Sequence, residues 1–368
     1  MRSTRCLACL AAALLAGAAC RSRAPLSIGD GYPRGKDRHT IVQVVQEAFD
    51  SARPPIPIRI EPWTVGGYED LDAATEQAER FAATPGLIGV VGPAGSRIAL
   101  LASSVYNAKG VTQLVPNATS KRLTSAGPWT FMLVPDDSVE GVALAEYALD
   151  SLQLARVTVM YLGDEYGIGL RDGVAAALRS RGSRLADHVL VPNQPCQAAR
   201  NGELARVVAR ASVRRAPPDV VVLAVTTAVA ACLMPMIAAE IPGVWFLAAD
   251  GVEPFRPALA ALAAPIRERF RAVAFGVPGA DSATQLFLAR ARRILGREPA
   301  QSEILIYDGF MVLAAAAQAG NGSRAAVRRW VESLGRSRPA WNGLSGPIGF
   351  AGPRRGLIHF LPIPESAP

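Results

Sequence analysis

Apolar residues along the chain follow two spacings that take turns. Leu26-Ser27-Ile28 is short and extended, and Ile41, Val44, Val45, Ala48 and Phe49 then fall on one face of a helix. Ile58-Arg59-Ile60 alternates as a strand does, and Leu71, Ala74, Ala78 and Phe81 make a second helical stripe. Pro85-Gly86 breaks that stripe, and Leu87 to Val91 is a continuous apolar run of the kind a buried strand shows. A helix from Ser96 to about Ala108 and a strand from Val111 to Val115 complete the first series. The alternation restarts near residue 155 with a strand Val157 to Tyr161 and a helix Gly167 to Arg179 closed by Gly182. Strand Val189 to Val191, helix Glu203 to Ser212, strand Val220 to Val225, helix Thr227 to Ala239 and strand Val244 to Ala248 follow. Strands alternating with helices of this length predict parallel βαβ sheets. Two series predict an α/β chain of two doubly wound parallel-sheet lobes, whose ligands would sit beyond the carboxyl ends of the strands.

Two apolar stretches need a separate reading. Val220 to Ala239 runs twenty residues without a charge, enough to span a membrane. Its β-branched start, its Thr226-Thr227 break and the bracketing Asp219 and Glu240 fit a buried strand leading into a buried helix better. At the N-terminus, Arg2 and Arg5 precede an apolar run from Cys6 to Ala19 that ends in small residues, the layout of a secretory signal over residues 1–19. Cys20 directly after Ala18-Ala19 resembles a bacterial lipobox, in which that cysteine becomes the lipidated first residue. Gly17 stands where the lipobox usually carries a larger aliphatic residue.

Composition narrows the function class. Of 368 residues 50% are hydrophobic and 19% charged, which excludes a disordered chain. The formal net charge of +8 comes from an Arg-heavy count, since Lys36, Lys109 and Lys121 are the only lysines. Paired arginines such as Arg214-Arg215 and Arg328-Arg329 lack interleaved aromatics, so solvated helix faces explain them better than nucleic acid does. His39, His188 and His359 are isolated, with no ligand partner at metal spacing. No phosphate loop and no Gly-x-Ser-x-Gly turn occurs, and no cofactor is expected. An enzyme is therefore not the expectation.

The chemistry-bearing motifs lie at predicted strand ends. Gly92-Pro93-Ala94-Gly95-Ser96 leads from a strand into a helix, where Ser96 can cap the helix or, with the free N–H groups, hold an anion such as a carboxylate. Pro116-Asn117-Ala118-Thr119-Ser120 offers hydroxyls for the same two purposes. Asp164-Glu165-Tyr166-Gly167 and Ala249-Asp250-Gly251 follow strands of the second series, and Asp250 is open to a plain turn role as well as a binding one.

These motifs in this order, with Pro218-Asp219-Val220-Val221-Val222, resemble the type I periplasmic solute-binding proteins, in the leucine/isoleucine/valine-binding branch that serves ABC transporters. The resemblance covers about residues 26 to 360 and implies two lobes joined by three crossovers that close on a ligand between them. It implies lobe one at 26–135 with 278–345, and lobe two at 136–277 with 346–368. By position, Ser96, Ala118 and Thr119 would hold a ligand α-carboxylate, Tyr166 would line the cleft, and Asp250 would meet the α-ammonium. The chain departs from the family in two places. The loop Gly29 to Gly35 is short and lacks the usual pattern, and a position often aromatic falls near Ala224 to Thr226. Cys196 and Cys232 would each follow a second-lobe strand, where an oxidising compartment allows a disulfide. The implied protein is a lipid-anchored extracytoplasmic binding protein that passes a small amino-acid-like ligand to an inner-membrane ABC permease. The rival readings are a regulatory lipoprotein using the same lobes as an interaction surface, and a sensor of amides or other small polar compounds.

Overall fold

The structure, a computed structural model, describes residues 25–32, 39–66, 70–193 and 217–364. The signal segment with Cys20, the predicted helix Glu203 to Ser212 and Cys196 lie outside them.

Two separate sheets carry the architecture. The first contains β1 (Leu26–Asp30), β2 (Ile58–Glu61), β3 (Leu87–Val91), β4 (Thr112–Val115) and β5 (Thr130–Met132) in the order β2-β1-β3-β4-β5, all parallel. The second contains β6 (Val157–Leu162), β7 (Asp187–Val191), β8 (Val220–Ala224), β9 (Trp245–Ala248) and β10 (Phe270–Phe275). There β7-β6-β8-β9-β10 repeats the spatial order of the first sheet, and a late strand, β13 (Ile358–Leu361), is added antiparallel at the β10 edge. This is the doubly wound order whose strand direction of travel reverses beside the first strand, the point where open sheets of this kind bind ligands.

The helices cover both faces of each sheet. On the first, α1 (His39–Ala52) buries Val44, Val45 and Phe49 on one face, while α2 (Leu71–Ala83) and α3 (Ser96–Lys109) bury Phe81, Ala102 and Tyr106 on the other. On the second, α4 (Asp137–Glu146) and α5 (Glu165–Ser180) supply Leu144, Leu170, Val174 and Leu178 to one face, and α6 (Thr227–Glu240) supplies Val229, Leu233 and Ile237 to the other. The strand β8 shows why its sequence has no polar alternation. Val220, Val222 and Ala224 point to the α4–α5 side, Val221 and Leu223 to the α6 side, and all are buried. The uncharged stretch from Val220 is thus a central strand and a 14-residue core helix. No single described helix is long and apolar enough to cross a membrane.

Late in the chain, α7 (Ser282–Leu295), α8 (Gln301–Ala319) and α9 (Arg324–Ser333) return to the first sheet, where Phe287, Phe310, Leu313 and Val327 join Ile28 and Leu114 in one core. The hairpin β11 (Trp341–Gly343) and β12 (Gly346–Ile348) is tied to α8 by Asp308, whose carboxylate accepts hydrogen bonds from Leu344 N and Ser345 N at 2.8 Å each. Ile348 and Phe350 also pack with the first sheet's core. The final passage to the second sheet therefore comes after residue 350, later than the expected break at 345/346. A second adjustment concerns the first loop: β1 continues through Asp30, so Gly29 and Asp30 are strand residues.

Candidate functional site

On the first sheet, the site begins where β3 ends. Gly95 takes φ +79°, a backbone that favours glycine, and turns the chain into α3 without a side-chain cap. Ser96 is consequently the first residue of the helix and not its cap, which corrects one of its two expected roles. Its Oγ instead accepts a hydrogen bond from Ser120 N at 3.1 Å, joining the loop after β3 to the loop after β4. Ala118 and Thr119 lie in that second loop, both buried, and the Thr119 hydroxyl faces the Asp137 carboxyl. Tyr32 closes the side, its hydroxyl donating to Asn117 Oδ1 at 2.8 Å.

The second sheet contributes three segments. Asp164 caps α5 by accepting from Gly167 N at 2.8 Å, which places Glu165 and Tyr166 in the first turn. The Tyr166 hydroxyl accepts from Gly251 N at 2.8 Å and faces the Asp250 carboxyl, so the loops after β6 and β9 are fixed to each other. Asp250 N in turn donates to Glu140 Oε1 at 2.9 Å. Glu140 belongs to α4, with Asp137 three residues earlier on the same helical face. Helix α4 comes this close because α5 is glycine-notched. A Cβ on Gly173 would stand 2.4 Å from Asp137 O, and one on Gly169 would stand 2.2 Å from Asp137 Oδ2. The Asp137 carboxyl occupies the space a side chain at 169 would fill.

The two halves meet directly. Asp137 N donates to Thr119 O at 2.7 Å. Ser120 Oγ donates to Glu165 Oε1 at 2.8 Å, and Arg122 Nη1 bonds Glu165 Oε2 at 3.2 Å. Of the five expected ligand-binding residues, Ser96, Ala118 and Thr119 stand on one side of this seam and Tyr166 and Asp250 on the other. Ser120 and Glu165 lie within the same sequence motifs without being among the five, and Asp137 and Glu140 lie outside every motif. For Asp137 and Glu140 the available signal was the pair of acids spaced i, i+3 beside Gly141, in a segment where no helix was predicted.

The seam is electrostatically lopsided. Burial pushes Asp137 up to about 8, with the Thr119 hydroxyl opposing and the charges of Asp250, Asp136 and Glu165 adding. Burial and then the Asp250 charge hold Glu140 well above the usual carboxylate range. Asp250 is pushed up to about 6, again mainly by burial, against hydrogen bonding from Tyr166 and Glu140. Glu140 Oε2 and Asp250 Oδ1 are buried without a partner, and the Asp137 carboxyl is met by the Thr119 hydroxyl. Among the described residues no group of His, Cys, Asp and Glu is arranged to hold a metal ion. Cys232, on α6, is disulfide-bonded, and its partner lies outside the described residues, as Cys196 does.

The family described as periplasmic binding protein matches residues 66–363. A Leu/Ile/Val-binding protein homolog from Brucella abortus is 32% identical over 108 residues, 29% of this chain and 29% of that protein. The matched segment thus spans 29% of the length of that curated relative. An ABC transporter substrate-binding protein from Desulfitobacterium hafniense, solved in complex with Leu, superposes with a TM-score of 0.72 at 22% identity, covering 93% of this chain and 98% of that one. A solute-binding protein of an ABC transporter from R. palustris, solved with benzoate, gives 0.72 at 15% identity, covering 93% and 94%. At these identities the likeness concerns the fold, and the fold accommodates chemically different ligands.

Proposed function

The chain belongs to the periplasmic binding protein family, and on that premise we propose that it is an extracytoplasmic solute-binding protein for an ABC importer. Its two sheets, each with its helices, act as lobes that close on a small amino-acid-like ligand. Closure is driven by the ligand's greater affinity for the closed arrangement, and no covalent step is required. Ser96, Ala118 and Thr119, at a helix start and a neighbouring loop, receive the carboxylate end, and Asp250 with Tyr166 receives the ammonium end. Cys20 carries the lipid that holds the protein to the membrane, beside the permease that accepts its cargo.

The observation that carries this reading is the convergence of loops from both sheets on one seam, with one of the two Asp250 carboxyl oxygens, Oδ1, enclosed there and unpartnered. A buried polar group left unsatisfied costs about 1–3 kcal/mol, and a ligand ammonium would recover it. The test is thermal melting against a panel of amino acids, amides and small carboxylates, followed by calorimetry on any hit. A ligand present at a hundred times its Kd should stabilise the fold by about 2.7 kcal/mol. No shift across the panel would overturn the reading in favour of a lipoprotein that uses the same lobes to engage another protein.

A further inference from the structure

A cavity of about 420 Å³ lies apart from the seam, and none of Ser96, Thr119, Tyr166 or Asp250 lines it. One wall is the segment after β9, Glu253 to Pro257, with Gly276 to Pro278 where the chain leaves β10. The other is Leu288 on α7, the turn Arg297 to Ala300, and Ile304 on α8, all from the helices that pack on the first sheet. The two walls are tied together by Ser302 Oγ, which donates to Glu253 Oε1 at 2.7 Å. A volume of this size is that of a small-molecule pocket, about 300–1,000 Å³. Pro254, Pro257, Pro278 and Pro299 stand around it, and their fixed φ angles hold its shape without a ligand. Phe255, at 48% exposure, and Val277, at 45%, stay open to water along it.

The chemistry of an occupant follows from the charges around the cavity, because every one of them is already matched. Glu253 pairs with Arg256, and Glu298 pairs with Arg292. Arg297 meets Glu303 through two hydrogen bonds of 2.8 Å. A charged ligand would leave water for an apolar wall with no free counter-charge to receive it, which is unfavourable. An uncharged ring would cover Phe255, Val277, Leu288 and Ile304 and lose no hydrogen bond in doing so. Two exposed apolar side chains are also far fewer than the roughly 20–30 residues a side that a stable protein interface uses. We propose that this cavity is a second ligand site, separate from the seam, for a small uncharged molecule with an aromatic or similarly compact apolar body.

Fluorescence titration of the full-length chain with N-phenyl-1-naphthylamine, an uncharged aromatic probe that brightens in apolar surroundings, tests this directly. Saturable binding of one equivalent is expected. Indole should displace the probe, and benzoate, a charged ring of similar size, should need a concentration at least about tenfold higher. Val277→Asp sets an unmatched charge on an exposed part of the wall and should weaken the probe at least about tenfold with the melting temperature unchanged. Ala300→Phe fills the space from the start of α8 and should weaken it by a similar factor without adding charge. An amino acid held at the seam should leave the probe's stoichiometry as it was, and its own affinity should be the same in Val277→Asp. Absence of saturable probe binding overturns the inference, as does binding indifferent to both variants or benzoate competing as well as indole. Complete displacement of the probe by a seam ligand would make the two sites one and overturn it too, while leaving solute binding intact.

Discussion

Where the first sheet reaches the seam, the polar groups are hydroxyls and backbone amides: Ser96 Oγ accepting from Ser120 N, Thr119 Oγ1, and the start of α3. Where the second sheet reaches it, they are carboxyls on three segments, Asp137 and Glu140 on α4, Glu165 on α5 and Asp250 after β9. Neutral donors at a helix start attract negative charge without titrating. Buried carboxyls attract positive charge and do titrate, within a range set by how deeply they are enclosed. One fold, wound twice in the same strand order, thus presents a fixed face and a pH-dependent one.

Asp250→Ala attacks the ionisable face and should have the largest effect. Loss of a charge-assisted hydrogen bond is worth about 1.5–3 kcal/mol, so affinity for an ammonium-bearing ligand should fall about tenfold to a hundredfold by calorimetry. Equal affinity in the variant would remove Asp250 from the site.

Asp137→Asn sharpens the contrast through stability. In the folded protein Asp137 keeps its proton up to about 8, whereas its ordinary value is 3.8. As pH rises from about 4 to 8 the unfolded chain releases that proton and the folded chain holds it, so the folded state loses stability across this window. The raised values of Glu140 and Asp250 add slope of the same sign. Asparagine cannot ionise. The variant's melting temperature should therefore decline less steeply with pH, and at pH 8 it should be more stable than the parent by about 1–3 kcal/mol. Identical slopes would show that the Asp137 carboxyl titrates normally.

The unequal legibility of the two faces has a physical origin. The first face is made by contiguous loops, and Gly92 to Ser96 and Pro116 to Ser120 announce themselves as strand-to-helix punctuation. Their broad placement was readable, although Ser96's service to Ser120 N in place of its own helix depended on Gly95 taking the cap position. Strands such as β3 and β8 were equally plain, because a strand covered on both faces has no polar positions to blur it. The second face is assembled from residues up to 110 apart in sequence, as in Asp250 N to Glu140 Oε1. Helix α4 buries two of its three charged residues, so its apolar stripe is interrupted where Asp137 and Glu140 turn inward. Only its docking against Gly169 and Gly173 makes those carboxyls part of a site. Periodicity reports which face is apolar, and it is silent about polar groups that a neighbouring helix encloses.

Ser96→Ala tests the fixed face. It removes a neutral hydrogen bond worth about 0.5–1.5 kcal/mol, and both the melting temperature and the ligand affinity should drop by amounts in that range. The penalty should be the same at pH 6 and pH 8, because nothing in the Ser96–Ser120 contact titrates; a penalty that varies with pH would mean that the hydroxyl is coupled to the carboxyls opposite.

Arg122→Ala probes the contact between the faces and should change least. Arg122 pairs with Glu165 at 3.2 Å, but its side chain is 72% exposed, where water and salt screen the attraction. Exposed pairs contribute about 0.2–1 kcal/mol, so the variant should alter ligand affinity by less than about fivefold, and high salt should erase the difference. The Ser120 hydroxyl bond to Glu165 remains in place to hold the seam. A larger loss, persisting in high salt, would mean that the arginine bridge and not the buried carboxyls governs how firmly the halves close. The contrast between a fixed and an ionisable face would then be secondary to a single interlobe ion pair.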